Sequence, residues 1–140
     1  MHWNNPPENI DDYFGFCYEI KNKLNGMSYI GKKQFFSITK KKIKGRKNKV
    51  TVKKESDWKT YTSSSIALNQ DIITYGIHNF EFNILSCHKT RALLNFHETK
   101  EQWTRNVLYS LQPDGSKSYY NGRLECLRYS KEIAHLIQFL

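Results

Sequence analysis

Alternating apolar and polar residues near the start of the chain predict a β-hairpin. Aromatic and β-branched residues recur in Phe14 to Lys21 and in Ser28 to Phe35, and Asn25-Gly26 lies between these runs. An Asn-Gly pair in this position is typical of a two-residue type I′ turn. We therefore expect two antiparallel strands joined at Asn25-Gly26.

The rest of the chain shows helical segments and a third strand. Serines open the segment Ser63 to Tyr75 and can cap it as a helix, and Gly76 follows in a position that often ends one. Phe80 to Ser86 alternates apolar and polar residues, as a half-buried strand does. Thr90 to about Leu108 predicts a second helix, and apolar spacing predicts a third over about 129–140.

Size and composition indicate one folded domain over residues 1–140. The chain is 39% hydrophobic and 14% aromatic, which is enough to build a core without disulfides. The last helix carries an apolar stripe, which would pack on the domain or form a homodimer with a second copy of the chain. The stripe consists of Ile133, Leu136, Ile137 and Leu140.

The positive charge is concentrated in one segment. The chain has 22 basic and 13 acidic side chains, and residues 37–54 contain nine of the basic ones and no acid. Gly45 and the sparse apolar content predict a mobile basic loop over 37–55. Such a run is typical of an arm that follows DNA phosphates, although a solvated loop has the same composition. The predicted DNA contacts in it are Lys40, Lys41, Lys42, Lys44, Arg46 and Lys47.

A second group of candidate DNA contacts precedes the first helix. Lys59 and Ser63 lie there beside two aromatic residues, Trp58 and Tyr61. The aromatic side chains could belong to the core, or they could form a stacking and phosphate-binding rim at the helix N-terminus.

The cysteines do not indicate a disulfide framework or a common zinc site. Cys17, Cys87 and Cys126 are odd in number and lack a CxxC spacing, and combining them with His78 or His88 matches no usual ligand set. Buried free thiols and a reducing compartment are expected. No apolar run approaches about 18 residues, and the N-terminus lacks a signal-peptide pattern. We therefore expect a cytoplasmic protein without a membrane partner, in the host cytoplasm if a phage encodes it.

The hairpin register gives the two tyrosines a chemical interpretation. A two-residue turn pairs Tyr18 with Lys33 and places both on one face with Tyr29. Gly31 lies in the same row, and its missing side chain would leave a gap through which a phosphate could reach the sheet. Lys32 falls on the other face, across from an acidic residue. Because the Lys33 ammonium would lie beside the Tyr18 phenol, we expect the pKa of Tyr18 to be lowered.

These residues resemble the GIY-YIG nuclease family, and in particular its small phage-type endonucleases. Phe16-Cys17-Tyr18 stands at the first tripeptide and keeps only its tyrosine, whereas Tyr29-Ile30-Gly31 matches the second outright. The segments "GKKQF", "ESDWKTYTSSS", "YGIHNFEFNIL", "FHETKEQ" and "YYNG" follow in the order of the phage-type members. The resemblance covers roughly residues 15 to 123.

The resemblance implies an α+β fold with a small three-stranded, mainly antiparallel sheet flanked by helices. It also implies metal-dependent hydrolysis of DNA phosphodiesters. Tyr18 and Tyr29 would align and activate water, Glu98 would hold one divalent cation, Mg²⁺ or Mn²⁺, and Asn121 would bond the phosphate or the groups around Glu98. The rival interpretations are a catalytically inactive DNA-binding module that uses the basic loop and a zinc-stabilised interaction domain.

Two points are left open by the sequence. The family commonly has an arginine after YIG, and here the phosphate-clamping cation could be Lys33, Arg46 or Lys59. Glu98 shares a helical line with Leu94 and Gln102. A separate apolar stripe of Phe96, Trp103 and Val107 could instead face the core, which would leave Glu98 in solvent.

Overall fold

The computed structural model describes residues 1–125 and 127–137. Three strands precede a β-ribbon, which is followed by a helix, a long strand, a second helix and a short C-terminal hairpin with a third helix. The strands are β1 (Trp3–Asn4), β2 (Gly15–Asn22), β3 (Ser28–Gln34), β4 (Phe36–Lys41), β5 (Val50–Glu55), β6 (Phe80–His88), β7 (Arg123–Leu124) and β8 (Leu127–Arg128), and the helices are α1 (Ile66–Tyr75), α2 (Arg91–Thr104) and α3 (Lys131–Ile137).

The α+β class is confirmed, but the central sheet has four strands rather than three. The strand order is β1-β6-β2-β3, with β2 antiparallel to both of its neighbours and β1 parallel to β6. The additional strand is held by Trp3, whose ring is buried and whose indole N–H donates to the Trp58 carbonyl oxygen at 2.6 Å. This contact joins residues far apart in sequence, and local patterning therefore does not reveal β1.

The predicted two-residue turn is wrong. Tyr18 pairs with Gly31 and Ile20 pairs with Tyr29, so the register differs by two residues from the expected one. The loop closes at Asn22, whose backbone N–H donates to Met27 and whose buried amide donates to the Tyr120 hydroxyl at 3.0 Å. Because side chains alternate between faces along a strand, a shift of two residues leaves every side chain on its predicted face. It places Lys33 opposite Phe16 rather than opposite Tyr18.

The basic segment is a β-ribbon and not the mobile loop expected over 37–55. β4 and β5 pair in regular antiparallel register from Phe36 opposite Glu55 to Lys41 opposite Val50, and residues 42–49 form its tip. Its base is fixed to the end of β3, because the Ser56 backbone N–H donates to Phe35 and the Ser56 hydroxyl donates to Gln34. Alternating Thr, Val and Ile among the lysines is compatible with strands, and the lysines obscure that pattern in the sequence.

Local capping rules locate α1 correctly, and the alternation of apolar and polar residues locates β6. Ser65 caps α1 by accepting the Leu68 N–H, and Gly76 ends it with a φ of 88°. On β6, Phe80, Phe82 and Ile84 are buried as their alternation predicts. These side chains join the larger core on one face of the sheet.

Helix α2 covers the opposite face of the sheet. Thr90 caps it as expected, but it ends at Thr104 rather than near Leu108. Leu94 and Gln102 are buried, so their line faces the sheet and brings Glu98 with it. The alternative stripe of Phe96 and Trp103 is exposed, although Val107 beyond the helix is buried in the second core.

The terminal helix is described only in part. α3 begins at Lys131 instead of about residue 129, and Ile133 and Leu136 are exposed on it. The predicted segment 138–140, with Leu140, lies outside the described residues, as does the Ile137 side chain. None of the helices within 1–125 and 127–137 combines the length and apolar character that crossing a bilayer requires.

Candidate active site

The two motif tyrosines meet above Gly31 on β3. Tyr18 is 1% exposed, and its ring centroid lies 6.2 Å from that of Tyr29. A Cβ placed on Gly31 would come within 2.5 Å of the Tyr18 Oη and 2.9 Å of Tyr29 Cε1. The space predicted as a phosphate gap is therefore filled by the Tyr18 phenol, and glycine is required there to admit it.

Lys33 does not contact Tyr18, contrary to the sequence prediction. Its ammonium lies 2.7 Å from an Asp57 carboxylate oxygen and 4.1 Å from the centre of the Tyr61 ring. The hydrogen bond from Lys33 lowers the pKa of Asp57. Tyr61 in turn packs edge-on against Tyr18. Lys33 therefore links the end of β3 to the segment after the ribbon and acts on Tyr18 only through Tyr61.

Both motif phenols are neutral at ordinary pH in the free protein. Burial raises the pKa of Tyr18 well above the usual tyrosine value, and the neighbouring phenols of Tyr61 and Tyr29 act in the same direction. Burial also raises the pKa of Tyr29, although a hydrogen bond with Ser64 opposes that change. The expected lowering of the Tyr18 pKa is therefore wrong, because desolvation of a buried phenol disfavours its charged form.

Glu98 faces the edge of β3 beside Lys32. The Lys32 ammonium lies 3.5 Å from Glu98 Oε1, and the Glu98 side chain is 17% exposed. Burial raises the pKa of Glu98, whereas Lys32 lowers it. Its charge also acts on Tyr18 and Tyr29. The register predicted from the sequence placed Lys32 on the face of the hairpin opposite to the tyrosines. In the structure it is Lys32 that contacts Glu98, the candidate metal ligand.

Asn121 supports β3 and does not reach toward Glu98. Its side-chain oxygen accepts the Ile30 N–H at 3.0 Å and its amide nitrogen donates to the Ile30 carbonyl oxygen at 2.9 Å. Gln102 donates to the same carbonyl oxygen at 3.1 Å. The backbone N–H and carbonyl groups of Ile30, in the middle of the YIG tripeptide, are thereby both hydrogen-bonded. The predicted bond from Asn121 to phosphate or to the Glu98 surroundings is replaced by this support of the backbone.

A polar cleft opens beside Tyr29. Ser64 and Ser65 line it from the start of α1, and Arg123 lines it from β7. Ser63, the predicted DNA contact, is instead 7% exposed with a φ of 82°, and its hydroxyl accepts the Ser65 N–H. Arg123 was not among the residues predicted from the sequence, although it directly follows the "YYNG" segment that carries part of the family resemblance.

The carboxylates of the site fit a hard cation that keeps most of its water ligands. No group of three or more His, Cys, Asp and Glu side chains within 1–125 and 127–137 is arranged to hold a metal ion. Mg²⁺ is commonly bound through one or two carboxylates and several waters. Glu98 meets this requirement, and Glu125 lies near enough for its charge to raise the pKa of Glu98. Zinc, which prefers three or four nitrogen and sulfur ligands, does not fit these residues.

The remaining predicted DNA contacts lie on the surface. Lys59 is exposed and lies 3.7 Å from the Glu55 carboxylate. Trp58 is a core side chain, which removes it from the proposed stacking rim. The ribbon residues predicted to contact DNA are all exposed, namely Lys40, Lys41, Lys42, Lys44, Arg46 and Lys47.

The site combines two phenols over a glycine with a helical carboxylate at the sheet edge. The family model described as "Putative endonuclease segE, GIY-YIG domain" matches residues 2–124. The chain therefore belongs to the GIY-YIG endonuclease family. No curated protein sequence and no solved structure matches the chain.

Proposed function

We propose that the protein is a metal-dependent DNA endonuclease that hydrolyses phosphodiester bonds at the Tyr18–Tyr29–Glu98 site. The observation that carries this proposal is the position of Glu98, which faces the sheet edge and lies 3.5 Å from Lys32, the residue that directly follows Tyr29-Ile30-Gly31. A glutamate that serves only solubility would be exposed, whereas the Glu98 side chain is 17% exposed.

The roles of the two phenols differ. Tyr29 lines the cleft and is the phenol that can contact water and phosphate directly. Tyr18 is buried and packs against Tyr61 and Tyr29, so it holds Tyr29 and Gly31 in place and acts on water through these neighbouring phenols. Because both pKa values are raised, the phenols enter the reaction as neutral hydroxyls that orient the attacking water.

The three basic side chains around the site have different roles. Arg123 lines the Tyr29 cleft and is the best-placed candidate for the clamp that the family usually supplies from an arginine after YIG. Lys32 favours the ionised form of Glu98, since its ammonium opposes the effect of burial on the pKa of that carboxyl group. Lys33 is engaged by Asp57 and anchors the site.

Glu98 would hold the divalent cation, with Glu125 as a neighbouring negative charge. When bound, Mg²⁺ or Mn²⁺ supplies positive charge that neutralises the scissile phosphate and makes nearby hydroxyls more acidic. The Lys32–Glu98 contact keeps the carboxylate ready for such an ion, because the ammonium compensates the cost of burying its charge.

DNA is the proposed partner, and its phosphates would be contacted by the exposed lysines and Arg46 of the ribbon. A homodimer through α3 stays a prediction, supported by the exposure of Ile133 and Leu136. The alternative function is a catalytically inactive DNA-binding module that uses the same ribbon.

Supercoiled plasmid incubated with Mg²⁺ tests the function. The wild-type protein should nick or linearise the plasmid in Mg²⁺ but not in EDTA, and Glu98→Gln should abolish cutting while DNA binding survives or tightens. Binding without cutting by the wild type would favour the inactive module. Substantial cutting by Glu98→Gln would refute the assignment of Glu98.

The stability of Glu98→Gln provides the control for misfolding. Burial raises the folded-state pKa of Glu98, so its contribution to stability is complete below the unfolded pKa and is lost as pH rises through the folded pKa. At neutral pH the charged carboxylate is therefore unfavourable to folding. Glu98→Gln should leave the melting temperature at pH 8 unchanged or higher, and loss of cutting then reports on chemistry.

A further inference from the structure

The ribbon formed by β4, β5 and their tip is an exposed surface whose two faces differ. Phe36, Ile38 and Lys53 share one face with Lys40 and Thr51, because cross-strand partners point the same way. Ile38 and Phe36 line a hollow with Tyr13 and Phe14 of the domain, and the Lys53 ammonium lies 3.9 Å from the centre of the Phe36 ring. At Phe36 and Ile38 this face borders the body of the protein, although Ile38 is itself 48% exposed.

The opposite face, which we call the outer face, carries Thr39, Lys41, Val50, Val52 and Lys54. None of these five side chains makes a hydrogen bond or ion pair with the rest of the described chain. Val52 is 38% exposed and pairs with Thr39 across the ribbon, so methyl groups occupy the centre of the outer face and lysines stand at its two ends. A partner that covers these methyl groups would remove apolar surface from water, which is favourable.

We propose that this ribbon lies in the major groove of duplex DNA with its outer face toward the base pairs, an inference that rests on the proposed function. The major groove, about 12 Å wide, admits a two-stranded ribbon, whereas the minor groove is only about 6 Å wide. Residues 37–54 contain nine basic residues and no acid, so their positive charge complements the negative phosphates that line the groove. Methyl groups of Val52 and Thr39 match the thymine methyl groups, which only the major groove presents.

The position of the ribbon relative to the tyrosines limits where the contacted bases can lie. β4 begins two residues after β3 ends, and Ser56 and the Lys33–Asp57 ion pair fix the ribbon base to β3. From Gly31 to Lys41 the chain can span at most about 36 Å. One turn of B-DNA is about 34 to 36 Å long. The bases contacted by the paired part of the ribbon therefore lie within about one turn of the scissile phosphate.

The test measures binding without cleavage, so that it is independent of catalysis. Full-length protein in EDTA is titrated by fluorescence anisotropy against an A·T-rich duplex and against the same duplex with deoxyuridine in place of thymidine, which lacks the major-groove methyl groups. Wild-type protein should bind the thymidine duplex more tightly, by about fourfold for each methyl group buried. Val52→Ala should lose most of this preference.

Ile38→Ala is the matched control. It removes an exposed β-branched side chain from the opposite face of the same ribbon, and it should keep the preference for thymidine. Competition with methyl green, a major-groove ligand, should displace the protein, and netropsin, a minor-groove ligand, should not.

Three results overturn the proposal. Equal affinity of the wild type for both duplexes, displacement by netropsin alone, or equal loss of preference in Val52→Ala and Ile38→Ala would each exclude the outer face as a major-groove reader. Thymidine preference in a protein that cuts no plasmid would refute the nuclease function and leave the groove assignment standing. Plasmid cutting without thymidine preference would support the nuclease function and refute the groove assignment.

Discussion

Replacing Gly31 with alanine should damage both stability and cleavage, because the Tyr18 phenol occupies the space above this residue. The new Cβ would lie 2.5 Å from Tyr18 Oη and 2.6 Å from Cζ, whereas carbon atoms normally approach to about 3.5 to 4.0 Å. The ring must therefore move by about 1 Å. It has little freedom to do so, because it packs against Trp3 at 5.1 Å between ring centroids and is 1% exposed.

Overpacking of this kind costs about 1 to 3 kcal/mol, which corresponds to a fall in melting temperature of roughly 3 to 12 °C for a domain of this size. A displacement of about 1 Å in a positioned group also lowers the cleavage rate by about 10²-fold. Differential scanning calorimetry and plasmid cleavage in Mg²⁺ measure the two effects separately.

Two further variants identify the cause. Gly122→Ala places a Cβ where nothing lies within 4 Å, so its melting temperature should stay close to that of the wild type. Tyr18→Phe removes the atom nearest to the new methyl group, so Gly31→Ala combined with Tyr18→Phe should lose less stability than the two single variants together. Unchanged melting temperature and cleavage in Gly31→Ala would refute the close packing of Tyr18 on Gly31.

Two other predictions concern charge. Lys32→Met should move the acid limb of the pH–rate profile to higher pH, because Lys32 lowers the pKa of Glu98 against the effect of burial, and Lys33→Met should leave that limb in place. A shift caused by Lys33→Met alone would contradict the observed ion pairs. Replacing Lys40, Lys41 and Lys42 with Gln should flatten the slope of log affinity against log salt by about 0.9 for each phosphate that is no longer neutralised, without changing the Mg²⁺ requirement. An unchanged slope would show that these three lysines do not contact DNA phosphates.

The sequence alone determined the features that depend on neighbouring residues. Ser65 and Gly76 bound α1 because capping is a local property of the backbone, and the alternation in Phe80 to Ser86 identifies the buried face of β6. The YIG tripeptide, its spacing from Tyr18 and the order of the later segments together identified the family, which the match over residues 2–124 confirms.

The tertiary structure decided how these elements meet. The register of β2 and β3 depends on a buried amide at Asn22 and its bond to Tyr120, a residue 98 positions away. A shift of two residues leaves the side-chain faces unchanged, so no local pattern distinguishes the two registers. That shift transfers Lys33 from Tyr18 to Asp57 and leaves Tyr18 neutral in the core.

The same reasoning applies to Glu98 and its lysine. Helical spacing offered two candidate buried sides for α2, and only packing against β3 selected the side with Leu94 and Gln102. That choice brings Glu98 to Lys32 at the sheet edge. The chemical types needed for the site were thus readable in the sequence, whereas the pairing of their charges depends on long-range contacts that a one-dimensional pattern does not contain.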